Sequence, residues 1–104
     1  MEKNNHQKGN VRVIIFKERN QWIGAALEFN IVEVGEDPRE VMISIDEAVR
    51  GYIKCAKKEK LNIEVLNQKP EKEYEDLWNK LEERKPIPSS VQVYNYSRQS
   101  LRFA

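Results

Sequence analysis

The extended runs in residues 11–34 carry apolar side chains on both sides, and this need for two covers constrains the chain more than any other feature. In VRVIIFKE, Val11, Val13 and Ile15 alternate with Arg12, Ile14 and Phe16, the period of a strand. Polar RNQ supplies a turn, and QWIGAALE follows with Ile23, Ala25 and Leu27 on one face and Trp22, Gly24 and Ala26 on the other. A short link at Phe29 and Asn30 leads into IVEVG as a third strand. Such short links allow only antiparallel pairing, because parallel neighbours need crossovers of about a dozen residues or more. The result is a meander. Ile14, Phe16, Trp22, Ala26, Val32 and Val34 lie opposite at least part of the set that one helix can cover. Their face must therefore meet a second helix, the C-terminal segment or another subunit.

The first cover is explicit. Asp37, Pro38 and Glu40 place an acceptor at a helix N-cap, a proline at the first helical position and a capping-box glutamate. Val41, Ile45, Ala48, Val49, Tyr52, Ile53 and Ala56 then fall within an arc of roughly 140° at helical periodicity. Lys54, Lys57, Lys58 and Lys60 end this helix as solvated cations that suit its dipole. Gly51, within it, is expected to admit another element closely, at a propensity cost of about 1 kcal/mol. NIEVLN at 62–67 suggests a short fourth strand. Pro70 opens a second helix striped by Tyr74, Leu77, Trp78 and Leu81. After the breaker KPIPSS, VQVYNY alternates again. The expected fold is α+β: a three- or four-stranded antiparallel meander on one long helix, ordered β-β-β-α-β, with a second helix and a C-terminal strand or arm. Residues 1–10 read as a flexible N-terminus, 11–84 as one domain and 85–104 as the arm.

Chemistry-bearing patterns are sparse. With one cysteine, Cys55, and one histidine, His6, no intrachain disulfide or Cys/His zinc set can form within one chain. Cys55 reads as an ordinary semi-buried cysteine. The glycines match no dinucleotide or phosphate-loop motif, and the carboxylates (Glu33, Glu36 and Asp37; Glu71, Glu73, Glu75 and Asp76) sit in polar stretches with basic neighbours. No enzyme activity and no cofactor is expected. Charged residues make up 34% and mean hydropathy is -0.77, so the core is small and a homo-oligomer is a natural way to enlarge it. No leader or membrane-spanning run is evident, and a reducing, cytoplasmic setting is expected, without membrane contact.

Two contact surfaces follow. Ile14, Phe16, Trp22, Trp78, Tyr94 and Tyr96 are the candidate interface residues, since aromatics carry a disproportionate share of interface energy. From Arg84 onward the chain carries +4 and no acid, against -3 before it. There Arg98 and Arg102 alternate with Tyr94, Tyr96 and Phe103, an arrangement that could also stack on single-stranded RNA.

Residues 11–56 resemble the N-terminal domain of HicB-type antitoxins. The likeness rests on Trp22, Glu28-Phe29, Gly35, Glu40, Glu47-Ala48 and Tyr52, within three strands followed by a helix. It implies a partial double-stranded-RNA-binding-like fold with an extra leading strand, and a small toxin protein as partner. Two departures stand out. EFN runs directly into IVEV without the family's proline-containing loop, and no ribbon-helix-helix or helix-turn-helix module for operator binding follows. The resemblance therefore implies a stand-alone domain that works by protein contact.

Overall fold

The computed structural model describes residues 3–102. Met1, Glu2, Phe103 and Ala104 lie outside the described residues, and with them parts of the expected N-terminal tail and aromatic arm. Strands β1 (Lys8–Glu18), β2 (Gln21–Ala26) and β3 (Ile31–Gly35) form the meander. Helix α1 (Pro38–Lys58), helix α2 (Lys72–Glu82) and strand β4 (Gln92–Arg102) follow. All pairings are antiparallel in the order β3-β2-β1-β4, so the C-terminal arm is a full member of the sheet beside β1. The α+β expectation holds.

Both sheet faces are covered from within the chain. Val11, Val13, Ile15 and Ala26 meet Val41, Ile45, Val49, Ile53 and Ala56 of α1 in one core. Ile14, Phe16, Ala25 and Leu27 meet Leu77 and Trp78 of α2 in a second. Register decides which side chain belongs where. Gly24 stands opposite Ile15 and Ala26 opposite Val13, which puts Trp22 and Ala26 on the α1 face. Ala25 stands opposite both Ile14 and Val32, which puts Val32 and its alternate Val34 on the α2 face. The expected grouping of Trp22 and Ala26 with Ile14 and Phe16 is thus corrected.

Helix α1 begins with the N-cap and first-turn proline its sequence suggests, Asp37 Oδ1 accepting from the Arg39 backbone N–H at 2.8 Å. That bond holds the Asp37 carboxyl below its usual range. Gly24 sets how close the helix comes: a Cβ there would lie 2.8 Å from Val41 Cγ1 and 3.1 Å from Ile15 Cδ1. Gly51 faces open space instead, so no element makes the close approach expected there.

Three further expectations are revised. NIEVLN is no strand; Ile63–Leu66 form a 3-10 turn, capped by Asn62 Oδ1 accepting from the Glu64 N–H at 2.9 Å. The N-terminal segment is tied down, because Asn4 is 3% exposed and its Nδ2 donates to Leu66 O at 2.7 Å and Asn10 O at 3.0 Å. Strand β1 consequently starts at Lys8, upstream of Val11. Cys55 is exposed rather than semi-buried.

Candidate functional site

Strands β3 and β4 are the two sheet edges, and their outer sides pair with no strand among the described residues. An open edge presents unpaired backbone donors and acceptors to any further strand. On β4 the register shifts between Ile15 and Phe16, which face Asn95 and Val93, so Tyr94 sits at a bulge. Its ring packs edge-on against Trp22, centroids 6.0 Å apart at 75°, beside α1. Tyr96 faces the other way, opposite Ile14, and meets Trp78 at 5.5 Å and 86°. The strand therefore carries one tyrosine toward each face, 45% and 40% exposed. At the opposite edge Val32 and Val34 are 43% and 59% exposed, beyond the cover of α2.

The six expected interface residues divide. Tyr94 and Tyr96 are accessible, and Trp22 is half-buried with the Lys17 ammonium 5.7 Å above its ring. Ile14, Phe16 and Trp78, by contrast, are intrachain core at 0%, 4% and 3% exposure. Of the covers expected for this face, a second helix, the C-terminal segment or another subunit, helix α2 makes the contact, which leaves these three side chains no surface for a partner.

Beneath this surface lies an ion cluster joining elements distant in sequence. Arg12 Nε donates to Glu28 Oε2 at 2.5 Å, and its Nη1 and Nη2 donate to Glu75 Oε1 and Oε2 at 2.8 and 2.9 Å. Glu28 Oε1 also accepts the Arg12 backbone N–H at 2.7 Å. Burial opposes the guanidinium charge, yet its hydrogen bonds to Glu75 and Glu28 and their negative charges outweigh it and raise the Arg12 pKa above its ordinary value. Arg12 and its cross-strand neighbour Arg98 each lie 5.7 Å from the Trp78 ring centre. Of the two arginines expected to contact nucleic acid, Arg98 is thus stationed over Trp78, while Arg102 ends β4 with its side chain outside what the structure describes.

No group of three or more His, Cys, Asp or Glu side chains among the described residues could hold a metal ion. No described helix is long and apolar enough to cross a membrane. Sequence reasoning named Arg12, Glu28 and Glu75 separately and did not bring them together. The signal was Arg12 and Glu28 inside apolar strand runs, since buried charges require partners; Glu75, on α2, carried none. Comparison with protein-family models, curated protein sequences and solved structures finds no match.

Proposed function

We propose that the chain is a non-enzymatic protein-interaction module, similar to a HicB-type antitoxin domain, that works through homo-oligomeric and partner contacts at its open sheet edges. The observation that carries this reading is β4: an outer edge that pairs with no strand among the described residues, with exposed Tyr94 and Tyr96 on its opposite faces. An added strand gains main-chain hydrogen bonds along such an edge, and the two tyrosines supply large, rigid contact area with polar tips. Edge β3, with Val32 and Val34, offers a second apolar strip for a copy of the chain. The resemblance in residues 11–56 supplies the heterologous partner class, a small toxin protein. Size-exclusion chromatography with light scattering is the test, with a dimer or larger assembly expected at micromolar concentration. A monodisperse monomer at high concentration removes the homo-oligomeric part.

A second reading draws on the same strand. Tyr96 and Arg98 alternate on β4 and both reach Trp78, so a half-exposed ring lies beside a cation, as in single-stranded RNA platforms. RNA binding through β4 should weaken steeply with salt and be lost in a folded Tyr96→Ala/Arg98→Gln variant. Absence of binding at low salt excludes it.

A further inference from the structure

A slot of about 150 Å³ opens between the end of β1, one side of α2 and the loop that leads into β4. Its apolar wall is made by Phe16, Tyr74, Leu77, Pro88 and Val91, with the Phe16 and Tyr74 rings 6.0 Å apart and tilted by 58°. Glu18, Glu73 and Asp76 also line it. Asp76 is already paired with Lys72 at 3.1 Å, whereas Glu18 and Glu73 have no ion-pair partner among the described residues. Small-molecule pockets usually hold about 300–1,000 Å³, so this volume is too small for a nucleotide or cofactor and suits one long side chain.

We infer that this slot takes a lysine or arginine side chain from a partner protein. The aliphatic stem would lie along Phe16 and Leu77, and the cation would rest near the Tyr74 ring between Glu18 and Glu73. Burial pushes the Tyr74 phenol pKa up, and the negative field of Glu73, Glu71 and Glu18 adds to it; the same field favours a cation. A polar shelf adjoins the slot through Glu18 and is lined by Lys17, Arg19, Asn20, Ser89, Ser90 and Gln92. It offers hydrogen bonds to main chain on either side of the inserted residue, which a free amine would leave unused. Lys80, at the slot wall, opposes the cation and gives the test a second sign.

The inference rests on the interaction-module reading for the existence of a partner. Its probe is a capped Ala-Arg-Ala peptide titrated into the isotope-labelled full chain and followed by amide chemical shifts, with the citrulline peptide as a neutral control. Saturable shifts should map to Phe16–Glu18, Glu73–Leu77 and Ser89–Val91. The citrulline peptide and the Glu18→Gln/Glu73→Gln variant should each weaken binding by about fivefold, the scale of two exposed charge contacts. Lys80→Gln should tighten it. Equal binding of the citrulline peptide, wild-type affinity in the folded double variant, or shifts confined to the sheet edges would overturn the assignment. Light scattering separates the two readings: a monomer that seats the arginine peptide keeps the slot and loses the oligomer. An assembly whose slot ignores the peptide loses only the slot.

Discussion

Arg12 clasps Glu75 through two parallel hydrogen bonds of 2.8 and 2.9 Å, so a central strand grips the helix on its outer face by a planar fork. The other side of the same guanidinium is held by Glu28, whose side chain is 10% exposed. Removing the arginine leaves that carboxylate buried without its cation. Arg12→Met is therefore expected to cost about 3 kcal/mol in urea unfolding, as for other broken buried pairs. Glu75→Gln, at the more exposed end, should cost about 1 kcal/mol.

Trp78 fills the second core against Ile14 and Phe16 and supports the Tyr96 ring. Truncation to alanine should destabilise the fold by about 3–5 kcal/mol by calorimetry or denaturant titration. Near-ultraviolet circular dichroism should lose the Trp78–Tyr96 contribution as well.

Gly24 sits where α1 comes down on the sheet, and no Cβ fits at 2.8 Å from Val41. Gly24→Val should cost about 1–3 kcal/mol through overpacking, despite the better strand propensity of valine. A variant as stable as wild type would show that α1 can move outward without loss.

Asp37 supplies an acid-sensitive contribution. Its folded pKa is lowered by the Arg39 backbone N–H, so the stabilisation is present above the unfolded value and is lost as pH falls through the folded one. Urea midpoints at pH 7 and near pH 3 should differ less in Asp37→Ala than in wild type. Tyr74 has the opposite sign: its raised pKa leaves stability intact below about pH 10 and lets it fall as pH rises further, a loss that Tyr74→Phe should lessen.

Val34 tests the edge reading without touching a core. At 59% exposure on β3, its replacement by lysine should change stability by less than about 0.5 kcal/mol. Light scattering should nevertheless show a shift toward monomer, because a charged edge disfavours strand pairing.

The layers were legible where the code is local. Alternation marked β1–β3, the Asp37-Pro38 start and apolar stripe marked α1, and Leu77 with Trp78 marked the face of α2. The face of each strand was less so. Whether Trp22 joins Ile15 or Ile14 depends on the hairpin register, fixed by Arg19 and Asn20, both with positive φ at the turn. Turn-like RNQ did not specify that register. Long-range polar contacts were harder still: Asn4 meets Leu66, and Arg12 meets Glu75, across separations of 62 and 63 residues that no periodicity reports. Of the candidate surface, Tyr94 and Tyr96 were readable from the alternation of VQVYNY. The slot was not, because it is assembled from three separate segments.

The pairing of β1 with β4 also governs when the sheet can be finished. Lys8 lies opposite Arg102, so the central strand waits for a neighbour that follows every other element in the chain. Closing so long a loop is entropically slow, and the early β1–β2–β3 sheet keeps one side of β1 open meanwhile. Ile14 and Phe16 stand on that strand, and α2, which covers their face, precedes β4 in the chain. Helix α2 thus shelters the newborn sheet during the interval in which self-association would compete with folding.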